Sequence, residues 1–184
     1  MKKVLLSLFM LSGMSSVSPG AEPFSSGLQP GQRPGPYSFL VATGQERGQQ
    51  TCYVCETAER PAVIVFSRSL NDPFAQLLVA CDRWLVAQPK NSARAWCTIL
   101  GEKTVSLDDL AKWVQKNGIK SMPAGVFDDP LGPPAYKLHE QADVTILIYT
   151  NNKVVKNFAF RSGELNNESI KQVTEQLKNL GQKK

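Results

Sequence analysis

Two of the four cysteines occur as Cys52-Tyr53-Val54-Cys55. A two-residue spacing lets both sulfurs meet within one turn of chain. Such a pair can cycle between dithiol and disulfide, hold a structural disulfide, or supply half of a metal site. A haem attachment site would need a histidine directly after the second cysteine, and Glu56 stands there. Zinc would need two further ligands. The single histidine, His139, lies in a proline-containing stretch, and no G-x-S-x-G elbow accompanies it, which argues against hydrolase chemistry. No phosphate-binding or dinucleotide glycine motif is present. No metal or cofactor is therefore expected, and Cys52 and Cys55 are the candidate catalytic residues. In a redox role one of them attacks a substrate disulfide and the other resolves the mixed disulfide, in either order. In a structural role so short a loop gains little chain entropy, and short C-x-x-C bridges are often reducible. Arg47 and Arg60 nearby would favour a thiolate, and Glu56 would oppose it.

Cys81 and Cys97 fall on the inner stripe of an expected helix and in an expected strand. Buried free thiols are common at such places, while an oxidising compartment makes a bridge between them available. Four cysteines allow three pairings, and sequence does not choose among them. A local 52–55 pair with a remote 81–97 pair is the preferred arrangement.

The compartment bears on all of this. Met1-Lys2-Lys3 precedes an apolar run from Val4 to Met10, followed by small and polar residues ending at Ala21. That is the pattern of a secretory signal peptide over residues 1–21, so the protein is expected to be secreted or periplasmic. The run is too short to span a bilayer, and no later stretch reaches the length of a membrane helix. The formal net charge of +5 includes the two leader lysines, and the rest is scattered without a dense basic cluster. Nucleic acid is not an expected partner. Other proteins, as thiol or disulfide substrates, are.

Residues 22–36, rich in Gly, Pro and Ser, read as an extended or mobile lead-in. Residues 37–184 read as one domain of alternating strands and helices. Strands are expected over 37–43, 61–67, 93–100 and 122–127, the second β-branched and buried on both faces. A helix capped by Asn71 or Asp72 carries Phe74, Leu77, Leu78, Cys81, Trp84 and Leu85 at helical spacing. A second starts at Ser106 and ends at Gly118. Residues 128–142 form a Pro/Gly-containing loop, which could shape a groove with Tyr136 as an aromatic contact or cover a sheet edge. A hairpin of 144–150 and 153–160 turns at Asn151-Asn152, and a last helix is capped by Asn166 or Asn167. Trp84, Trp96 and Trp113 are expected in the core. The first strand–helix–strand unit should be parallel.

This order, with the phrases Val144-Thr145-Ile146-Leu147-Ile148-Tyr149-Thr150-Asn151-Asn152-Lys153-Val154-Val155 and Asn117-Gly118-Ile119-Lys120-Ser121-Met122-Pro123, resembles the thioredoxin-like superfamily, including its peroxiredoxin branch, over most of residues 37–180. The resemblance implies an α/β three-layer fold, a mixed central sheet with helices on both faces. It also implies where a reactive cysteine should stand: after the first core strand, at the start of the next helix. Here that slot reads Arg68-Ser69-Leu70-Asn71-Asp72-Pro73 and holds no cysteine, nor the peroxiredoxin Pro-x-x-x-Thr motif. Pro123 matches the family's cis-proline in one register; in the other, Val144 stands there. Two functions remain. One is an exported thiol–disulfide oxidoreductase using Cys52 and Cys55. The other is a redox-inactive binding or structural module on the same fold, with structural cysteines.

Overall fold

The structure is a computed structural model and describes residues 24–101 and 105–180. The signal peptide expected over residues 1–21 lies outside the described residues. Seven strands form one mixed sheet: β1 (Phe39–Val41), β2 (Gln50–Thr51), β3 (Ala62–Ser67), β4 (Arg94–Leu100), β5 (Ala124–Phe127), β6 (Val144–Thr150) and β7 (Lys153–Phe160). Their order across the sheet is β2-β1-β5-β4-β3-β6-β7. β3, β4 and β5 run parallel, and β6 lies antiparallel to β3 with Val65 opposite Ile146. Among the helices are α1 (Tyr53–Thr57), α2 (Asp72–Val86), α3 (Leu107–Lys116) and α4 (Asn167–Leu180).

The caps explain where the longer helices begin. Asn71 has extended backbone, and its side-chain oxygen accepts from the Phe74 N–H at 2.9 Å. Pro73 then sits in the first turn, where a missing N–H costs nothing. Ser106 caps α3 by accepting from the Asp109 N–H at 3.1 Å. Asn166 caps α4, its oxygen accepting from Glu168 and Ser169, each at 3.0 Å.

Strand alternation divides the core in two. On one face Val63, Val65, Ala95, Cys97, Val144, Ile146 and Ile148 meet α2, α3 and α4. On the other, Ala62, Ile64, Phe66, Trp96, Leu147 and Tyr149 meet α1 and an aromatic layer. The three-layer arrangement with helices on both faces is thus present. Trp84 and Trp96 are buried, and Trp113 stacks on Phe74 with ring centroids 5.8 Å apart.

The lead-in is extended, but it is held in place. Ser26 and Thr145 share a hydroxyl hydrogen bond of 2.7 Å across 119 residues of sequence. Asn157 donates to the carbonyls of Ser26 and Leu28, both at 2.8 Å. The Gly31 N–H reaches the Val154 carbonyl at 2.8 Å, and the Val154 N–H returns to Gln32 at 2.9 Å. Leu28 is 4% exposed within the aromatic layer. Gly27 has φ +82°, and a Cβ there would lie 2.7 Å from the Thr145 methyl, so both the turn and the close approach require glycine. The 128–142 loop packs the same way. Tyr136, in a short 3₁₀ turn, is fully buried against Tyr37 and Phe66, and its hydroxyl donates to the Gly35 carbonyl at 2.8 Å. It is a core residue rather than a groove contact or an edge cover, because the lead-in supplies a second surface for it.

Asp82 on α2 is buried at 7% exposure. Its carboxylate accepts backbone N–H groups from Ser121 and Met122 at 2.7 Å and from Lys120 at 3.3 Å. It therefore fixes the turn that feeds β5. Removing an acceptor that satisfies buried donors costs more than an ordinary hydrogen bond. Asp82→Ala should lower stability by about 3 kcal/mol, and Asp82→Asn by about 1 kcal/mol. Denaturant titration of both variants checks this, and equal losses would refute it.

Candidate redox site

The cysteine pair is built on the short helix α1, directly after the edge strand β2. Thr51 closes β2 opposite Phe39 of β1, and the chain then turns over the aromatic face. Tyr53 anchors it. Its side chain is 2% exposed, with ring centroids 5.5 Å from Phe39 and 5.8 Å from Trp96. The Tyr53 hydroxyl donates to Glu46 at 3.2 Å. Thr57, also buried, donates its hydroxyl to the Tyr53 carbonyl at 2.6 Å. Ala58 ends the helix at φ +53°, a left-handed φ unusual for a side chain with a Cβ. Two buried anchors thus hold a five-residue helix that is too short to be stable by itself.

Cys52 caps this helix, and Cys55 lies one turn on. The two form a disulfide with Cα atoms 5.4 Å apart. Cys52 Sγ also accepts from the Cys55 N–H at 3.3 Å. The two residues sit differently: Cys52 is half-buried, and Cys55 is exposed. Cys55 lines a surface groove of about 430 Å³ with Arg33, Pro34, Gly35, Pro36, Val54, Ala58 and Asn152. The groove's second wall is the lead-in. Sequence reasoning set residues 22–36 apart from the domain and so missed Arg33. No local pattern in the sequence could have placed it 22 residues away against Cys55.

The charges expected to tune the thiols are engaged elsewhere. Arg47 pairs with Asp108. Arg60 donates to the carbonyls of Thr57 at 2.9 Å, Asn91 at 3.1 Å, and Glu56. Glu56 pairs with Arg94 at 2.8 Å. The cation on the Cys55 groove is Arg33, which is exposed and forms no ion pair among the described residues.

Cys81 and Cys97 are free thiols, 0% and 1% exposed, so the preferred remote bridge is not formed. Burial pushes the Cys81 thiol up to about 12 and raises Cys97 as well. Disulfide formation proceeds through a thiolate, and the apolar layer keeps both groups neutral. They pack there as small hydrophobic side chains.

The end of β3 where the resemblance expects a reactive cysteine carries a polar lock instead. Arg68 donates to the carbonyls of Ala142 at 3.0 Å, His139 at 3.4 Å, and Pro130. Ser69 donates to Asp143 at 2.8 Å, and Asn71 donates to Ser69 at 3.0 Å. Burial lowers the Arg68 pKa, while Asp143, Glu140 and Asp129 oppose that shift. The lock ties the 128–142 loop to the sheet. Val144 stands at the start of β6, and no cis peptide bond occurs among the described residues, Pro123 included. No cluster of three or more metal-ligating side chains occurs among the described residues.

No family model matches this sequence, and no curated protein does. Solved structures do match it in fold. A proposed protein disulfide isomerase from Bacteroides thetaiotaomicron superposes with a TM-score of 0.65 at 13% identity, covering 87% of this chain and 96% of that one. A secreted Mycobacterium tuberculosis disulfide oxidoreductase homologous to E. coli DsbE superposes with a TM-score of 0.58 at 8% identity, covering 78% of this chain and 95% of that one. A peroxiredoxin-like protein from Aquifex aeolicus gives 0.53 at 12% identity, covering 83% and 88%. At these identities the similarity concerns the fold.

Proposed function

We propose that this chain, whose fold is thioredoxin-like, is an exported thiol–disulfide oxidoreductase that works through Cys52 and Cys55. The observation that carries the reading is a closed C-x-x-C disulfide in which Cys55 is exposed and lines a groove, on a helix pinned by buried Tyr53 and Thr57. Thiol–disulfide exchange needs little more than this. A thiolate must reach one sulfur in line with the bond, and the other sulfur must leave as a thiolate. The fold neighbours with disulfide chemistry in their names support the reaction class. Export rests on the leader and on the secreted neighbour. The substrates are then other proteins carrying thiols or disulfides.

The reactive pair differs in place from the family's usual one. It precedes β3 and lies over the aromatic face, while the end of β3 holds the polar lock of Arg68 on Ala142 and Ser69 on Asp143. That displacement also favours a second reading, a redox-inactive module with a structural bridge. The two are separated by potential. We expect Cys52–Cys55 to titrate reversibly between about −270 and −120 mV. The titration is followed by alkylation of the native protein and mass spectrometry. Two cysteines should label on reduction, because Cys81 and Cys97 stay neutral and buried. A bridge that stays closed below about −300 mV would establish the structural reading instead.

A further inference from the structure

The pair is asymmetric in a way that assigns a role to each sulfur. This inference rests on the oxidoreductase reading and deepens it. Cys55 is exposed and lines the groove closed by Arg33, Pro34, Gly35, Pro36 and Asn152. Cys52 does not line that groove; it is half-buried beside Tyr53 and receives the Cys55 N–H at 3.3 Å. An incoming thiolate approaches along the extension of the S–S bond, and the exposed, groove-lining cysteine is the one open to that approach. The sulfur that leaves gains most from a hydrogen-bond donor already aimed at it. Both features point the same way.

We propose that Cys55 is the sulfur that exchanges with substrate and that Cys52 is the internal, leaving and resolving sulfur. In the oxidising direction a substrate thiolate attacks Cys55 Sγ. The Cys52–Cys55 bond breaks, a substrate–Cys55 disulfide forms, and Cys52 leaves as a thiolate accepting the Cys55 N–H. A second substrate thiolate then attacks the sulfur of its own chain in the mixed disulfide, releasing Cys55 as a thiolate. The substrate dithiol is oxidised by two electrons to a disulfide, and the protein's disulfide is reduced to a dithiol. The two protons of the substrate thiols end on Cys52 and Cys55 or in solvent. The reverse sequence reduces a substrate disulfide, with the Cys55 thiolate attacking and Cys52 resolving. Arg33, which lines the groove and forms no ion pair among the described residues, favours the approach of a thiolate over a neutral thiol.

The test uses the wild-type full chain. Oxidised protein is mixed with mercaptoethanesulfonate in the presence of iodoacetamide and quenched with acid. The peptide carrying both cysteines is then sequenced by mass spectrometry. The expected product carries the sulfonate adduct on Cys55 and the alkyl group on Cys52, in roughly tenfold excess over the opposite isomer. The opposite isomer in excess, or equal amounts of the two, would overturn the assignment while leaving the redox reading standing. A disulfide that yields neither isomer under conditions that reduce thioredoxin-type bridges would overturn both. A second arm guards against trapping bias. Reduced Cys52→Ser, which keeps Cys55, should react with 4,4′-dithiodipyridine roughly tenfold faster than reduced Cys55→Ser. Equal or reversed rates would count against the assignment.

Discussion

Cys55→Ser should reduce turnover of insulin disulfides, with dithiothreitol as the electron source, by roughly 100-fold or more, to the level of reductant alone. Without Cys55 no groove-facing sulfur remains: Cys81 and Cys97 are buried, and Cys52 is half-buried. Cys52→Ser should lose multiple turnover to the same extent for a different reason. It keeps the exchanging sulfur but cannot resolve the mixed disulfide, so reduced Cys52→Ser freed of dithiothreitol should accumulate one equivalent of covalent insulin adduct per chain. Exposed Cys55 can change to serine with little loss of stability, so circular dichroism should show that variant folded. Cys97→Ala is the control, because that thiol faces the helix layer on the other side of the sheet. It should retain full turnover. Full activity in Cys55→Ser would remove the pair from the reaction and leave a thioredoxin-like fold whose bridge is structural.

Trp96→Ala should be the most destabilising single change in the aromatic layer. Trp96 is 1% exposed on β4, with ring centroids 5.8 Å from Tyr53 and 6.4 Å from Tyr149. Its indole N–H donates to the Tyr37 hydroxyl at 2.7 Å, and that hydroxyl shares a 2.9 Å hydrogen bond with Thr98. Truncating a buried tryptophan removes apolar contact and leaves a cavity, together about 3–5 kcal/mol. That is a large part of the roughly 5–15 kcal/mol that holds a domain together. At about 2–4 °C per kcal/mol for a chain of this size, the melting midpoint should fall by about 10 °C. Tyr37→Phe, which removes only the hydroxyl, should lose about 1–2 kcal/mol. The tryptophan also supports Tyr53, which holds α1 in place. Trp96→Ala should therefore open the disulfide faster to a small thiol, as well as lower the midpoint. A melting loss with an unchanged reduction rate would show that α1 is held without it.

The longer elements were legible in the sequence because each is dictated by neighbours in the chain, whereas the short α1 was not. The β-branched run of β3 and the helical stripe of α2 appear where local periodicity places them. Asn71 and Asn166 won over Asp72 and Asn167 as caps because their side chains reach the first turn's N–H groups from outside the helix. Spacing also made the Cys52–Cys55 bridge available, since two residues between thiols let them meet within one turn of chain.

Tertiary structure decided the rest, because it depends on residues far apart in sequence. A stretch that composition made a free lead-in became a wall of the groove through Ser26–Thr145 and the Gly31–Val154 pairing. Arg47, Arg60 and Glu56 were drawn into pairs with other groups, and Arg33 took the place beside Cys55. Cys81 and Cys97 were left unbonded by the apolar layer that keeps them neutral. Local spacing thus sets which sulfurs can bond, and long-range packing sets which sulfur a substrate can reach, because exposure is a property of everything that folds over a residue.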